Sequence, residues 1–312
     1  MMKSRFNSAG RIGVAATSVL ALGLLAGCGG GSGDDSGGDG GGGETGGGSA
    51  NTLQKIKDAG SVKVAIAGEA PYSFLDDGEL KGGSVAIIKE VFGSMGVENV
   101  EAEKVDWGAQ IPGLNAGRFD VVASGMSILP ERCANADFSH PTIMYTTALM
   151  VQEGNPKGLS DLKSVKKADD VKLAVLAGGI EAGYAEDMGI SGVTSVPDAQ
   201  TGMDTVANGR ADAFAMTAIS LNYMADNNPN VPIEVTEAFT AVIDGEKQIG
   251  SGATVFRAGD DKLRKAYNEA LEKNVLADKE TYLNVVGDYG FTAENLPPKD
   301  LTTKELCAGE VG

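Results

Sequence analysis

Two charged side chains follow predicted strands, where they could bind a small charged ligand. Arg132 lies in a Pro-Glu-Arg-Cys motif. A guanidinium stays charged and its planar donors match a carboxylate bidentately, although a surface arginine paired with Glu131 fits the same residues. Glu69 follows a strand predicted over residues 61–67, where its carboxylate could accept from an ammonium or amidinium, or remain a solvated loop acid. Together the two side chains could hold a zwitterion.

Aromatic and glycine residues supply the other candidate contacts. Tyr72 and Trp107 come just after predicted strands. Their faces could wall an aromatic box, because aromatic rings attract diffuse cations and exclude water, or they could pack in a core. Gly178 and Gly179 separate a predicted strand from a helix. Glycine there lets backbone N–H groups approach an anion, or it forms only a tight turn.

An alternation of strands and helices must position these residues. β-Branched runs and apolar residues at helical spacing predict two similar α/β units. The first has strands at 61–67, 100–105 and 119–124, with helices at 84–95 and 109–116. The second has strands at 172–176, 193–196 and 211–215, with helices at 181–188, 198–208 and 219–226. A further strand at 251–256 and a helix at 260–275 follow.

The two units predict a two-lobed α/β clamshell in which each lobe is a mostly parallel sheet with flanking helices. Extended segments at 146–153 and 248–257 would cross between the lobes as hinge strands. Lobe 1 is predicted as residues 51–149 with 251–312, and lobe 2 as residues 150–250. A single doubly wound domain is the alternative that periodicity leaves open.

The first fifty residues are set aside as a targeting segment and a tether. Three basic residues precede an apolar stretch at 12–25 that is too short to span a membrane comfortably. It ends in Leu-Ala-Gly before Cys28, which is similar to the bacterial lipobox; an ordinary signal peptide with an incidental cysteine is the alternative. We expect residues 1–27 to be a signal peptide, Cys28 to carry lipid, and the Gly-rich residues 28–50 to be a flexible tether.

Net charge and the numbers of cysteine and histidine residues limit the functions that the chain can have. The net charge is −17, and it becomes −20 when residues 1–27 and their three positive charges are removed, which argues against nucleic-acid binding. Cys133 and Cys307 are left as a pair in an oxidising compartment, and we predict a disulfide between them, with two buried thiols as the alternative. His140 is the only histidine and no Cys-x-x-Cys motif is present, so we expect neither a metal nor another cofactor.

Three motifs carry a family resemblance. Glu-Ala-Pro-Tyr-Ser-Phe at 69–74, the segment 111–120 and the segment 125–132 resemble the polar amino-acid branch of the type II periplasmic solute-binding proteins. The resemblance extends over residues 53–312. Within that branch the chain is most similar to the ectoine- and hydroxyectoine-binding proteins of ABC transporters, through residues 69–72, 130–133 and 155–159.

The resemblance implies roles for individual residues, and the chain departs from the family pattern at three of them. Arg132 would fork onto a ligand carboxylate. Ser127 stands where the ectoine-binding relatives have a third aromatic residue, and Ile180 stands where a hydroxyl residue is usual. Thr217 follows a strand after which binders of α-amino acids usually place an aspartate, so a cyclic zwitterion is favoured. The expected ligand-binding residues are Glu69, Tyr72, Trp107, Gly125, Ser127, Arg132, Gly178, Gly179, Ile180 and Thr217.

These observations predict an extracytoplasmic lipoprotein that binds a small zwitterion, with ectoine or hydroxyectoine as the first candidate, by clamshell closure. It would be a monomer, anchored to the membrane by lipid, that delivers its ligand to ABC permease subunits and catalyses no reaction. The alternatives are a binding protein for a polar amino acid or a betaine, a dehydratase-like enzyme on the same fold, and a ligand-sensing partner of a membrane receptor.

Overall fold

The computed structural model describes residues 52–310, so the predicted signal peptide, Cys28 and the predicted tether lie outside the described residues. Within that range the helices are α1 Thr52–Ala59, α2 Gly83–Ser94, α3 Gln110–Asn115, α4 Pro130–Cys133, α5 Leu162–Lys167, α6 Ile180–Asp187, α7 Ala199–Ala207, α8 Ala218–Asn227, α9 Asp261–Asn274, α10 Lys279–Val286 and α11 Thr303–Ala308. None of these helices is long and apolar enough to cross a membrane.

The strands between residues 52 and 310 are β1 Ser61–Ile66, β2 Phe74–Asp76, β3 Glu79–Lys81, β4 Asn99–Lys104, β5 Val121–Ser127, β6 Asp137–Phe138, β7 Ile143–Tyr145, β8 Thr147–Gln152, β9 Leu173–Leu176, β10 Val193–Val196, β11 Ala213–Thr217, β12 Ile233–Val235, β13 Val242–Ile243, β14 Glu246–Lys247 and β15 Gly250–Phe256.

Two sheets organise the described residues. The first has the order β4-β1-β5-β15-β6, with β7 also pairing with β15. The second has the order β10-β9-β11-β8-β12. In each sheet three neighbouring strands are parallel, as the alternation of strands and helices predicts. The remaining pairings are antiparallel, so each sheet is mixed.

The two crossing segments carry the chain from the first sheet to the second and back again. β8 follows the first unit along the chain but pairs with β11 of the second sheet. β15 follows the second unit but pairs with β5 of the first sheet. The lobe boundary predicted between residues 149 and 150 falls inside β8, which pairs with the second sheet from Thr147 onward.

The C-terminal helices return to the first unit. Tyr267 of α9 is fully buried, and its ring centroid lies 5.5 Å from that of Phe92 in α2 and 5.2 Å from that of Phe256 in β15. Its hydroxyl is 2.8 Å from Thr254 Oγ1 in β15. Because this large side chain packs α9 against both α2 and β15, α9 belongs with the first sheet.

A disulfide fixes the end of the described chain. Cys133 in α4 and Cys307 in α11 are bonded, with 5.7 Å between their Cα atoms. The bond holds α11 against the short helix that carries Arg132. Among residues 52–310, no group of three or more His, Cys, Asp or Glu side chains is arranged to hold a metal ion.

Candidate functional site

Residues at the carboxyl ends of parallel strands from both sheets meet around one small cavity, where α/β proteins commonly bind ligands. β1, β4 and β5 contribute from the first sheet, and β9 and β11 from the second. The cavity volume is about 30 Å³. Its lining residues are Glu69, Tyr72, Trp107, Ser124, Gly125, Ser127, Tyr145, Leu176, Gly179, Ile180, Glu181, Met216 and Thr217.

Glu69 is a buried acid rather than a solvated loop residue. It lies just after β1 with 8% of its surface exposed, and Ser220 of α8 donates to its Oε1 across 2.8 Å. Burial raises the pKa of its carboxyl to about 8; the Ser220 hydrogen bond acts in the opposite direction, and the charge of Glu181 adds to the rise. A cationic ligand group in the cavity would therefore pair with the ionised carboxylate of Glu69 and favour that form.

Glu181 is a second buried acid, and the sequence analysis missed it. It lies in the first turn of α6 with 3% of its surface exposed, and Thr147 Oγ1 is 3.5 Å from its Oε1. Burial raises the pKa of this carboxyl to about 7, partly offset by hydrogen bonds and by the charge of Arg132. An acid in a first helical turn normally faces solvent, where it complements the helix dipole, so only its position after Gly178-Gly179-Ile180 hinted at a site.

Arg132 lies beside the cavity and connects the two units. Its Nη1 donates to the Ser127 carbonyl across 3.1 Å, and its Nη2 donates to the Gly178 carbonyl across 2.8 Å. Its guanidinium carbon lies 5.7 Å from the centre of the Trp107 ring. Within the described part of the chain, Arg132 forms no ion pair with a carboxylate. Its charge is thus held by carbonyls and an aromatic face, which leaves it available to an anionic ligand group.

The glycine pair differs from the prediction in one respect. The Gly178 carbonyl accepts from Arg132, and the Gly179 N–H donates to the Leu176 carbonyl across 2.9 Å. The Gly179 N–H is therefore committed to the turn. Gly178 has a φ of +77°, and a Cβ there would lie 3.2 Å from Trp107, so glycine allows the close approach of this turn to the indole.

Three hydroxyls around the cavity have no hydrogen-bond partner within residues 52–310, namely those of Tyr72, Tyr145 and Thr217. Tyr72 is near Thr217 and Tyr145 is near Ser127, without the geometry of a hydrogen bond. The two tyrosine rings meet edge to face, 6.5 Å apart. Buried hydroxyls normally have partners, so these three favour a polar occupant.

Eight of the ten residues expected to bind ligand line the cavity, and Arg132 and Gly178 bond to each other beside it. The lining residues that sequence reasoning missed are Ser124, Tyr145, Leu176, Glu181 and Met216. Tyr145 carries no local signal, because it ends β7 and reaches the cavity only when that strand pairs with β15.

A larger cavity of about 550 Å³ lies elsewhere. Its lining includes residues of β6 and α9 and residues between 297 and 304. His140 borders it and its Nδ1 is 2.7 Å from Glu272 Oε1, with both side chains about half exposed. None of the expected ligand-binding residues lies there. Convergence of buried charged and polar groups therefore identifies the smaller cavity as the candidate site.

Comparison with known proteins agrees with this arrangement. Residues 62–282 match the bacterial extracellular solute-binding proteins, family 3. The chain belongs to this family. It is 33% identical over 265 residues to the probable amino-acid ABC transporter periplasmic-binding protein y4tE of Sinorhizobium fredii, covering 83% of this chain and 87% of that protein. It is 27% identical to the L-cystine-binding protein TcyJ of Escherichia coli K12, covering 78% and 86% of the two chains.

Solved structures of family 3 relatives are similar in fold. The crystal structure of EhuB in complex with hydroxyectoine matches with a TM-score of 0.73 and 32% identity, covering 82% of this chain and 98% of that one. An ancestral arginine-binding protein bound to glutamine matches with a TM-score of 0.64 and 26% identity, covering 74% and 97%. This family 3 chain therefore has the type II periplasmic binding protein fold, and it is an extracytoplasmic solute-binding protein of the ABC amino-acid transporter type.

Proposed function

We propose that this protein captures a small zwitterion for an ABC importer, and that ectoine or hydroxyectoine is its ligand. One observation carries the proposal: Glu69 lines the cavity and Arg132 lies beside it, so that an acid and a guanidinium meet at one site between the two sheets. The guanidinium would bind the ligand carboxylate, and Glu69 would bind its cationic group. Similarity to a protein whose structure contains hydroxyectoine supports the choice of ligand.

Aromatic faces would complete the pocket. Tyr72 and Trp107 line the cavity, and a delocalised cation such as an amidinium would gain from lying against them. Ser127 occupies a lining position that an aromatic side chain would fill, and it leaves room for a ligand bearing an extra hydroxyl. This arrangement favours hydroxyectoine over ectoine.

Binding would proceed by closure of two lobes, formed by residues 51–149 with 251–312 and by residues 150–250. The cavity of about 30 Å³ is far smaller than a typical ligand pocket of about 300 Å³ or more, so the lobes must separate to admit a ligand. Glu69 with Ser220, and Arg132 with Gly178, pair residues of different lobes. A ligand held by Glu69 and Arg132 would stabilise the closed form through its differential affinity.

A polar amino acid is the second candidate, favoured by the two relatives named as amino-acid and cystine binders. Thr217 at the end of β11 weighs against it, because a hydroxyl holds an α-ammonium less well than a carboxylate. We also propose that the protein is a lipid-anchored monomer that turns over no substrate.

A thermal-unfolding screen tests the ligand class. The chain from residue 28, with Cys28→Ser to prevent lipidation, would be screened against ectoine, hydroxyectoine, glycine betaine and the standard amino acids. Ligand at about a hundred times its Kd should stabilise the protein by about 2.7 kcal/mol, which raises Tm by several degrees. A shift with only amino acids would retain the receptor and reject the ectoine assignment.

A further inference from the structure

The acidic and basic groups around the cavity are unequal in number. Two carboxyl groups, those of Glu69 and Glu181, are buried there with at most 8% of either residue exposed. The single guanidinium, that of Arg132, pairs with neither of them among the described residues. A buried ionised group is stable only when it is paired and hydrogen-bonded. A simple zwitterion would supply one anion for Arg132 and one cation for Glu69, which leaves Glu181 without a partner.

The fold itself gives Glu181 little reason to be an acid. Its carboxyl accepts from its own backbone N–H at the start of α6, and the partner on another residue is Thr147 Oγ1 at 3.5 Å, the outer limit of a hydrogen bond. In the first turn of α6 an exposed acid would serve the helix equally well without the desolvation cost. A buried acid at the wall of a polar cavity, with only one weak hydrogen bond from another residue among those described, is explained by a ligand group that donates to it.

Unpartnered hydroxyls give an independent indication of the same occupant. Tyr72 and Tyr145, 2% and 9% exposed, line the cavity with hydroxyls that have no partner within residues 52–310. Thr217 from β11 adds a third such hydroxyl. These groups and Glu181 offer more hydrogen-bonding capacity than a ligand with one carboxylate and one cation can satisfy.

We propose that Glu181 is a second ligand-binding carboxyl, which accepts from a hydroxyl or ammonium that the ligand carries in addition to its carboxylate and its first cationic group. The inference rests on the proposed function and makes Glu181 the residue that selects among related zwitterions. A site built to bond a donor rejects the analogue that lacks it, because its own polar group is then left unpaired. The expected preference is about 10- to 100-fold, the range for hydrogen bonds to charged groups.

Several titratable groups face Glu181. Glu69 and Tyr72 approach from the segment after β1, Tyr145 from β7 and Arg132 from α4, and Tyr184 lies one turn farther along α6. Burial opposes the ionised form of Glu181, whereas the positive charge of Arg132 favours it. An ammonium donor would tip this balance toward the carboxylate, so its binding would tighten as the pH rises through about 7, whereas a hydroxyl donor would give a weaker pH dependence.

The test measures Kd by calorimetry for two ligand pairs that differ in one donor. Hydroxyectoine and ectoine differ by a hydroxyl, and L-lysine and L-norleucine differ by an ammonium. Each is titrated into the wild type, Glu181→Met and Glu181→Gln. Glu186→Met, an exposed acid on the same helix, is the matched control. Methionine fills a similar volume without a buried acid, and Glu181→Gln keeps the shape if methionine impairs folding.

We expect the wild type to prefer the donor-bearing member of at least one pair about 10- to 100-fold. Glu181→Met should weaken the donor-bearing member much more than the parent ligand, which reduces that preference to less than about threefold, and Glu186→Met should change neither Kd. The pair that responds identifies the donor as hydroxyl or ammonium. An unchanged preference in Glu181→Met, or equal weakening of both members, would assign Glu181 a structural role and overturn the inference. A wild type that binds no member of either pair overturns the proposed zwitterion ligand and this inference with it.

Discussion

At the residue scale, the site depends on acids that the fold buries against their preference for water. Glu69 was foreseeable because it follows a strand within a motif shared with a known family. Glu181 was not, because its burial depends on α6 lying against residues far away along the chain, such as Thr147 and Arg132. Local sequence reports the chemical type of a residue, but long-range packing decides whether that residue faces water.

The two raised carboxyl pKa values make a prediction about stability. Unfolded glutamate titrates near 4.5, whereas burial raises the pKa of Glu69 to about 8 and that of Glu181 to about 7. Between pH 4.5 and 8 the ligand-free native state thus holds protons that the unfolded state releases. The free energy of unfolding should fall as the pH rises through that window, by up to about 1.4 kcal/mol per pH unit for each group.

Urea unfolding at pH 5, 6, 7 and 8 measures this effect. The double variant Glu69→Gln/Glu181→Gln should show a shallower decline than the wild type, and the exposed-residue control Glu186→Gln should follow the wild type. Parallel curves for the wild type and the double variant would mean that these carboxyls ionise normally in the folded protein.

At the element scale, β5 shows how strand pairing positions a glycine beside the candidate site. The sequence predicts a strand ending at Ser124, but β5 continues to Ser127 because β15 pairs along it. Gly125 lies inside this extension with a φ of +60°, and a Cβ there would lie 2.8 Å from the Tyr72 ring. Such a position requires glycine, and long-range pairing rather than local propensity creates it.

Gly125→Ala should therefore destabilise the protein by about 1–3 kcal/mol, since it adds both backbone strain and a contact with a buried ring. Gly93→Ala is the matched control, because Gly93 lies in α2 with open space around its Cα and should gain up to about 1 kcal/mol from helix propensity. Chemical denaturation measures both. Equal effects of the two substitutions would contradict the role assigned to Gly125.

The bond between α4 and α11 supports the element that carries Arg132. Cys133 is adjacent to Arg132, and the disulfide closes a loop with a sequence separation of 174 residues. Replacing both cysteines by serine should lower the free energy of unfolding by about 2–5 kcal/mol. The measurement is denaturation of the oxidised wild type, the reduced wild type and the double serine variant. If reduction leaves the wild-type midpoint unchanged, the bond contributes no stability.

At the scale of the whole molecule, the alternation of strands and helices predicted two α/β units but left a single doubly wound domain open. It did not show that each crossing strand pairs antiparallel in the sheet it enters, nor that residues after Asn230 form β12, β13 and β14. Short strands and antiparallel partners depend on distant residues, so hydrophobic period alone cannot assign them.

The two-lobed arrangement predicts a change in shape on binding. Small-angle X-ray scattering should show a smaller radius of gyration with saturating ligand than without it, because a ligand bridging both lobes stabilises the closed form. Arg132→Ala should lose this response at the same ligand concentration. A radius of gyration that is identical in both states of the wild type would exclude large-scale closure.

The most direct test of the central claim is calorimetric titration of hydroxyectoine into the chain beginning at residue 28, with Cys28→Ser, and into its Arg132→Ala variant. We predict saturable one-to-one binding that weakens at least about 100-fold in Arg132→Ala, because a bidentate charge-assisted contact is lost. Arg210→Ala, which removes an exposed arginine from the second unit, should bind like the wild type. Binding of equal strength by Arg132→Ala would show that Arg132 does not hold the ligand carboxylate and would contradict the account of this site.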